Sequence, residues 1–329
     1  MYIFIKYLKN KFIRFFLSNI ILRRERKLFI RSSKDKKANQ ERDILLLVHA
    51  LEKGMSLSNV KRGYGEEKAV KLITLINSYV NYSDVDKYVI NYGISILQTY
   101  IDFQKKNDCR ELSEKIHNLY VKLKEKIEIK MIDTDEFFQS GYFYYEKTND
   151  KKIKELDFAS LTRNRHSVRT SSDKEVDISK IEEAISIARN YPSACNRQPC
   201  KVYCTKNREV INEIRKMIPG NSGFENELDN FLIVTSKRNY FGVNEMFQWY
   251  INGGIFVAYL ILALKSLNIG SCVFQWPLMN KNDLVLKNIM NIDQNECIIN
   301  IIGIGIEKNK YKCVVASRKE VNDILTLSR

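Results

Sequence analysis

The sequence predicts a two-part chain: an all-helical region, then a domain of interleaved strands and helices, α/β or α+β in class. Three observations carry this. All four prolines (Pro192, Pro199, Pro219, Pro277) lie in the second half, so the first 191 residues lack the residue that breaks helix interiors. Apolar side chains in that first half recur at helical spacing. Beyond Glu155, short β-like runs alternate with amphipathic ones. A length of 329 residues suits about two domains. A hydrophobic fraction of 44% with 11% aromatics excludes a disordered chain.

Residues 1–40 form a basic leader with 12 Lys+Arg against 2 acids, a net +10 of the formal +15. The remaining +5 excludes a uniformly basic nucleic-acid-coating protein. No base-stacking platform is evident either, so no nucleic-acid partner is expected. The longest uncharged run, Phe15 to Leu22, is far short of the roughly 18–20 apolar residues of a spanning helix. Lys6, Lys9, Lys11 and Arg14 interrupt the hydrophobic stretch, which excludes a signal peptide. On a helical wheel Phe4, Ile5, Leu8, Phe12, Phe15 and Phe16 share one arc, with the four cations outside it. Residues 1–31 therefore suit either peripheral contact with an anionic membrane or packing on the protein itself. The expected location is cytoplasmic, with the inner face of the membrane as the site of any such contact.

Residues 41–150 read as the helical region. EEKAVKLITLINSYV and ELSEKIHNLYVKLKEKI are its plainest helices; in the second, Leu112, Ile116, Leu119 and Leu123 mark one buried face. The polar stretch Thr148–Glu155 reads as a linker. In the second domain, 156–329, Asp177 caps the amphipathic helix ISKIEEAISIARN. A Pro-bearing loop, YPSACNRQP, follows. KVYCT, FLIVTS, GSCVF and ECIINIIGIGI read as strands, and REVINEIRKM as a helix. The long run NEMFQWYINGGIFVAYLILALKSLN is apolar nearly all round from Ile251 to Leu264, which predicts a central buried helix. Lys265, Asn252, two glycines and the flanking strands argue against a membrane span.

Seven cysteines, an odd number without a CxxC, read as reduced thiols. Cys195, Cys200 and Cys204 match no common metal spacing, and the three histidines (His49, His117, His166) supply a His-based metal site poorly, so no metal is expected. Cys195 reads as a small packed loop residue. GIGIEKNK lacks the third glycine of a dinucleotide fingerprint, and no P-loop, HExxH or GxSxG occurs.

Three segments carry candidate chemistry. In RHSVR, alternation places Arg165, Ser167 and Arg169 on one side of an extended chain, two guanidiniums flanking a hydroxyl, which suits a phosphate. In PSACNRQP, Ser193, Asn196 and Gln198 lie in a loop braced by two prolines; amides offer both donor and acceptor to the edge of a flat heterocycle. In ASRK, Arg318 offers a further phosphate donor.

In this order and spacing, from about Leu156 to Leu327, the three segments and the long helix running into Leu267-Asn-Ile-Gly-Ser271 resemble the nitroreductase family of FMN-dependent oxidoreductases. The resemblance implies an α+β fold with a mixed sheet and a long central helix, and a homodimer whose FMN sites are built by both subunits. It implies that Arg165, Ser167 and Arg318 hold the FMN phosphate. Arg169, Asn196 and Gln198 would face the ribityl chain and pyrimidine edge, with Ser193 in the same binding loop. It further implies a ping-pong reaction in which NAD(P)H reduces FMN and a small-molecule acceptor reoxidises it. Two departures bear on that acceptor: Cys200 follows the Gln-Pro pair where the family commonly has Trp, and Cys272-Val-Phe-Gln-Trp-Pro stands where a small or acidic residue is frequent. Gln275 and Trp276 are thereby candidates for the substrate face, core packing being the alternative for Trp276.

In the first half, His49-Ala-Leu-Glu-Lys-Gly54 with Lys61-Arg-Gly-Tyr-Gly65 resembles the segment that precedes this domain in a two-part subset of the family. That subset is often encoded near bacterial polysaccharide-synthesis genes, which implies a glycan-related role. His49 and Glu52 share a helix face; they suit a packing network ending at Gly54 or, alternatively, an acid–base couple on the substrate face. A non-catalytic flavin-fold protein docking at the membrane surface is the competing class of function.

Overall fold

The structure, a computed structural model, describes residues 15–20, 22–23, 27, 35–147, 153, 156–242, 245–277 and 280–328. Most of the leader, with its expected membrane contact through residues 1–31, lies outside the described residues, as does the expected linker apart from Ile153. The chain divides into two units. One comprises residues 1–28 and 146–311, the other 29–145 and 312–329. The C-terminal tail, assigned by sequence to the sheet domain, thus groups with the helices.

In the helical unit, α1 (Lys36–Met55), α2 (Glu66–Tyr79), α3 (Lys87–Lys106) and α4 (Arg110–Ile129) follow one another, ending at β1 (Tyr142–Glu146). Asp35 and Asp86 cap α1 and α3 through their carboxylates, satisfying backbone N–H groups of the first turn. The four helices enclose one core that includes Ile44, Leu51, Ile76, Leu97, Tyr100 and Ile116. Leu112 and Leu119 pack against its margin, as their spacing on α4 predicts.

The HALEKG motif is part of this packing. Glu52 is wholly buried; its Oε2 accepts from the Tyr92 hydroxyl at 2.7 Å and its Oε1 from the Gly141 N–H at 2.9 Å. Gly54 lets the Tyr64 ring lie against the helix, since a Cβ there would come within 2.0 Å of that ring. The Tyr64 hydroxyl donates to the Ala50 carbonyl at 2.6 Å. Gly65, at φ 86°, makes the left-handed entry to α2 that glycine adopts without steric cost. In the tail, Val315 N donates to the Gly141 carbonyl at 3.0 Å. The Tyr88 hydroxyl donates to the Ser317 carbonyl at 3.0 Å, and Lys319 pairs with Asp86 at 2.8 Å.

The other unit runs α5 (Phe158–Asn164), α6 (Ile178–Ala188), β2 (Cys200–Tyr203), α7 (Arg208–Met217), β3 (Asn230–Lys237), α8 (Gln248–Ser266), β4 (Ile269–Gln275), α9 (Asp283–Ile289) and β5 (Glu296–Ile306). Asp177 caps α6 as its position predicts, accepting from Ser179 N at 3.0 Å. The sheet is ordered β2-β3-β5-β4, every neighbour antiparallel, with a register shift between Val234 and Thr235. A parallel bridge, Ser167 to Ser271, attaches the extended segment after α5 to β4 and makes the sheet mixed. The short β6 (Lys310–Val314) pairs with β1, and the boundary between the units falls within these two strands. The chain ends with α10 (Val321–Ile324).

Helix α8 lies on the sheet and against α6. Phe256, Val257, Leu260, Ala263 and Leu264 meet Leu232, Val234, Ile299 and Ile302, with Ala184 and Ala188 of α6 alongside. Gly253 permits the approach: a Cβ there would stand 2.6 Å from Ile299. The expectation of a helix buried all round is corrected here. By length and composition α8 could cross a membrane, but only one face is covered. Ile251 and Tyr259 are 53% and 40% exposed, and Gly254 and Ala258 lie exposed on the same face. The sheet covers one side of the helix, and among the described residues of this unit nothing covers the other. At its last turn the buried Lys265 pairs with the buried Glu307 at 2.9 Å.

Candidate functional site

The segment 165–169 is extended from its first residue, Arg165 having φ −79° and ψ 122°. Two alternate residues pin it inward. Val168 is 1% exposed, donates its N–H to Ser271 O at 2.9 Å, and packs against Gly270, where a Cβ would stand 2.8 Å from the valine. His166 is hydrogen-bonded through Nε2 to the Tyr311 hydroxyl at 2.7 Å, their rings 5.7 Å apart. Burial, with the Lys265 and Arg165 cations nearby, pushes the His166 imidazole down to about 3, so it is neutral at ordinary pH. With 166 and 168 turned inward, the period of two leaves Arg165, Ser167 and Arg169 on the other side, all partly exposed. The Arg169 Nε is buried without a hydrogen-bond partner, and its guanidinium stands 5.9 Å over the Phe224 ring.

The loop 193–198 is held in an unusual conformation. Cys195, Asn196 and Gln198 have φ of 50°, 52° and 49°, the left-handed region that side-chain-bearing residues rarely enter. Ser193 accepts the Gln198 N–H on its hydroxyl at 3.0 Å, and the Gln198 amide donates to Asn196 Oδ1 at 3.2 Å. Asn196 and Gln198 are thus brought together, both exposed. Arg197 reaches away, with both Nη atoms on Glu245 at 2.9 and 2.6 Å. This fork holds the Glu245 carboxyl down to about 2 and raises the Arg197 guanidinium further above its ordinary value. Cys195, expected to be packed, is exposed, its Sγ 3.6 Å from Arg197 Nη2; the left-handed backbone turns it outward. Cys200 is partly buried in β2, and burial raises its thiol above the ordinary range.

Arg318, the expected third phosphate donor, lies in the helical unit, where it donates to the Ala316 carbonyl. Gln275 is exposed at the end of β4. Trp276 is 7% exposed and its indole N–H donates to Asp283 at 2.9 Å, which favours the packing alternative. Both oxygens of Glu52 are engaged in the buried contacts above, which favours the packing network over an acid–base couple; His49 is exposed on the same helix. Among the described residues no group of three or more His, Cys, Asp or Glu could hold a metal ion. Sequence reasoning missed Asn252, Glu245 and Tyr311. Their only sequence signal is a polar residue interrupting, preceding or following apolar runs.

The residues present fit FMN. Two arginines and a hydroxyl in one row suit a phosphate, an unpartnered buried guanidinium N–H awaits an acceptor, and two exposed amides suit a pyrimidine edge.

Residues 162–225 match the model of the nitroreductase family. No curated protein matches the chain. Solved structures of similar fold include a nitroreductase family protein of Streptococcus pneumoniae TIGR4, at 20% identity over 53% of this chain and 100% of that one, with a TM-score of 0.43. A nitroreductase family protein of Clostridium difficile 630 is also 20% identical, over 53% and 99%, with a TM-score of 0.43. An FMN-dependent nitroreductase of Clostridium difficile R20291 is 17% identical over 50% and 94%, with a TM-score of 0.42. The matched segment, 162–225, holds Arg165, Ser167, Arg169, Ser193, Asn196 and Gln198, and it is in this segment that the chain is similar to the nitroreductase family.

Proposed function

We propose that the protein is an FMN-dependent oxidoreductase that takes hydride from NADH or NADPH and passes electrons to a small-molecule acceptor by a ping-pong mechanism. The family match supports an oxidoreductase. The observation that carries the flavin is the row Arg165, Ser167, Arg169 with its buried, unpartnered Arg169 Nε. Arg165 and Ser167 take the phosphate, and Arg169, Asn196 and Gln198 hold the ribityl chain and ring edge; Ser193 keeps the role the sequence suggests. FMN supplies the redox chemistry when bound. The protein's part is to orient the ring and set a positive charge near its pyrimidine edge, which stabilises the anion formed on reduction. Gln275 remains a candidate for the open face. The exposed apolar face of α8, with Ile251 and Tyr259, supports a homodimer. A cytoplasmic location, a membrane contact through the leader and a role near polysaccharide synthesis complete the reading, carried by the sequence.

Purified protein should be yellow, and Arg165→Ala should lose FMN. Stopped-flow mixing with NADH and NADPH should bleach the flavin. Colourless protein that takes up no added FMN refutes the reading; flavin that binds but resists both reductants favours the non-catalytic alternative.

A further inference from the structure

The loop 193–198 owes its shape to residues outside the matched family segment. Three of its six residues are left-handed and carry side chains, so the loop does not hold this form by local preference. Two anchors oppose the strain. Asn252 on α8 is 2% exposed. Its Oδ1 accepts the Ala194 N–H at 2.8 Å and its Nδ2 donates to the Gln248 carbonyl at 2.7 Å. Since one partner only donates and the other only accepts, a single orientation of the amide satisfies both. The second anchor is the Arg197 fork on Glu245, whose Oε2 also accepts the Gly242 N–H at 2.9 Å. One anchor grips the residue before the strained pair, the other the residue between Asn196 and Gln198.

We infer that Asn252 and Glu245 are positioning residues for the flavin ring: they hold the loop so that the Asn196 and Gln198 amides are pre-organised for the pyrimidine edge. This rests on the flavin reading above. Pre-organisation raises affinity by removing the ordering cost from the binding step, so the anchors act without touching ligand.

Asn252→Leu, Glu245→Gln and the pair Asn196→Ala/Gln198→Ala test this by fluorescence titration with FMN and with riboflavin, which lacks the phosphate. Asn252→Leu should weaken both flavins by the same factor, about tenfold for a lost buried hydrogen bond. Glu245→Gln, on a partly exposed residue that leaves folding intact, should weaken both about threefold. In the Asn196→Ala/Gln198→Ala background Asn252→Leu should add nothing, whereas a general loss of packing would add in full. The inference is overturned if Asn252→Leu and Glu245→Gln both bind flavin like the parent while Asn196→Ala/Gln198→Ala weakens it. Should Asn252→Leu fail to fold, Glu245→Gln decides. If Asn196→Ala/Gln198→Ala leaves both affinities unchanged, the pyrimidine-edge assignment fails and takes the inference with it, while Arg165→Ala still tests the phosphate.

Discussion

His166 should make the protein acid-sensitive in a way that one substitution removes. Unfolded, its imidazole titrates near the ordinary 6.5; folded, it is pushed down to about 3 by burial beside Lys265 and Arg165. Between those values unfolding takes up a proton, so the contribution to stability is present above 6.5 and is lost as the pH falls. A full proton of difference changes stability by about 1.4 kcal/mol per pH unit, and integrating from pH 6.5 to 4.5 gives a loss of about 2 kcal/mol from this residue. Carboxylates elsewhere titrate over the same range, so the assay is a difference. Urea unfolding followed by circular dichroism at pH 6.5 and 4.5 would compare the parent with His166→Gln, which keeps a polar partner for Tyr311 but cannot charge. The parent should lose about 2 kcal/mol more than the variant. Equal losses would refute the claim that the imidazole is held neutral in the fold.

Glu52→Ala strands the buried Tyr92 hydroxyl and Gly141 N–H and should cost roughly 3 kcal/mol by urea unfolding, with Glu52→Gln costing about half. An alanine variant within about 1 kcal/mol of the parent would show that the motif glutamate is no structural tie. Glu307→Leu leaves the Lys265 ammonium buried without its carboxylate and should cost roughly 3–5 kcal/mol. Lys265→Met/Glu307→Leu should recover most of that loss, and additive losses in the double variant would exclude a coupled pair.

Much of the fold was legible because it rests on local periodicities. The strands ECIINIIGIGI and FLIVTS and the capped helix after Asp177 each announce themselves within a dozen residues. The α8 correction shows the limit: an all-apolar helix fixes burial only if every face has something to cover it, and coverage is decided by other elements. For Glu52 and Trp276 the sequence left packing and substrate face side by side for the same reason. A Glu three residues from a His reads alike whether its oxygens face solvent or Tyr92 and Gly141, 40 and 89 positions away. Trp276 turned on Asp283, a residue in the next helix.

The two halves of the candidate site are therefore built by opposite means. The 165–169 row is set by the pleat: once Val168 is buried and His166 is tied to Tyr311, a period of two turns Arg165, Ser167 and Arg169 to the other side, and only a register slip could undo it. The parallel bridge to Ser271 and the close packing of Val168 on Gly270 oppose such a slip. The 193–198 loop has no such protection. Cys195 and Gln198 each cost about 1–2 kcal/mol in the left-handed region, and Asn196 less, so the loop is disfavoured by roughly 2–4 kcal/mol before any tertiary contact is counted. The Asn252 hydrogen bonds and the Arg197 fork oppose it from outside the loop, and the Ser193 hydroxyl on Gln198 N opposes it from within. Sequence change at Arg165 or Arg169 therefore removes a donor and leaves its neighbours in place, whereas change at Asn252, 56 residues beyond Asn196, moves two donors at once.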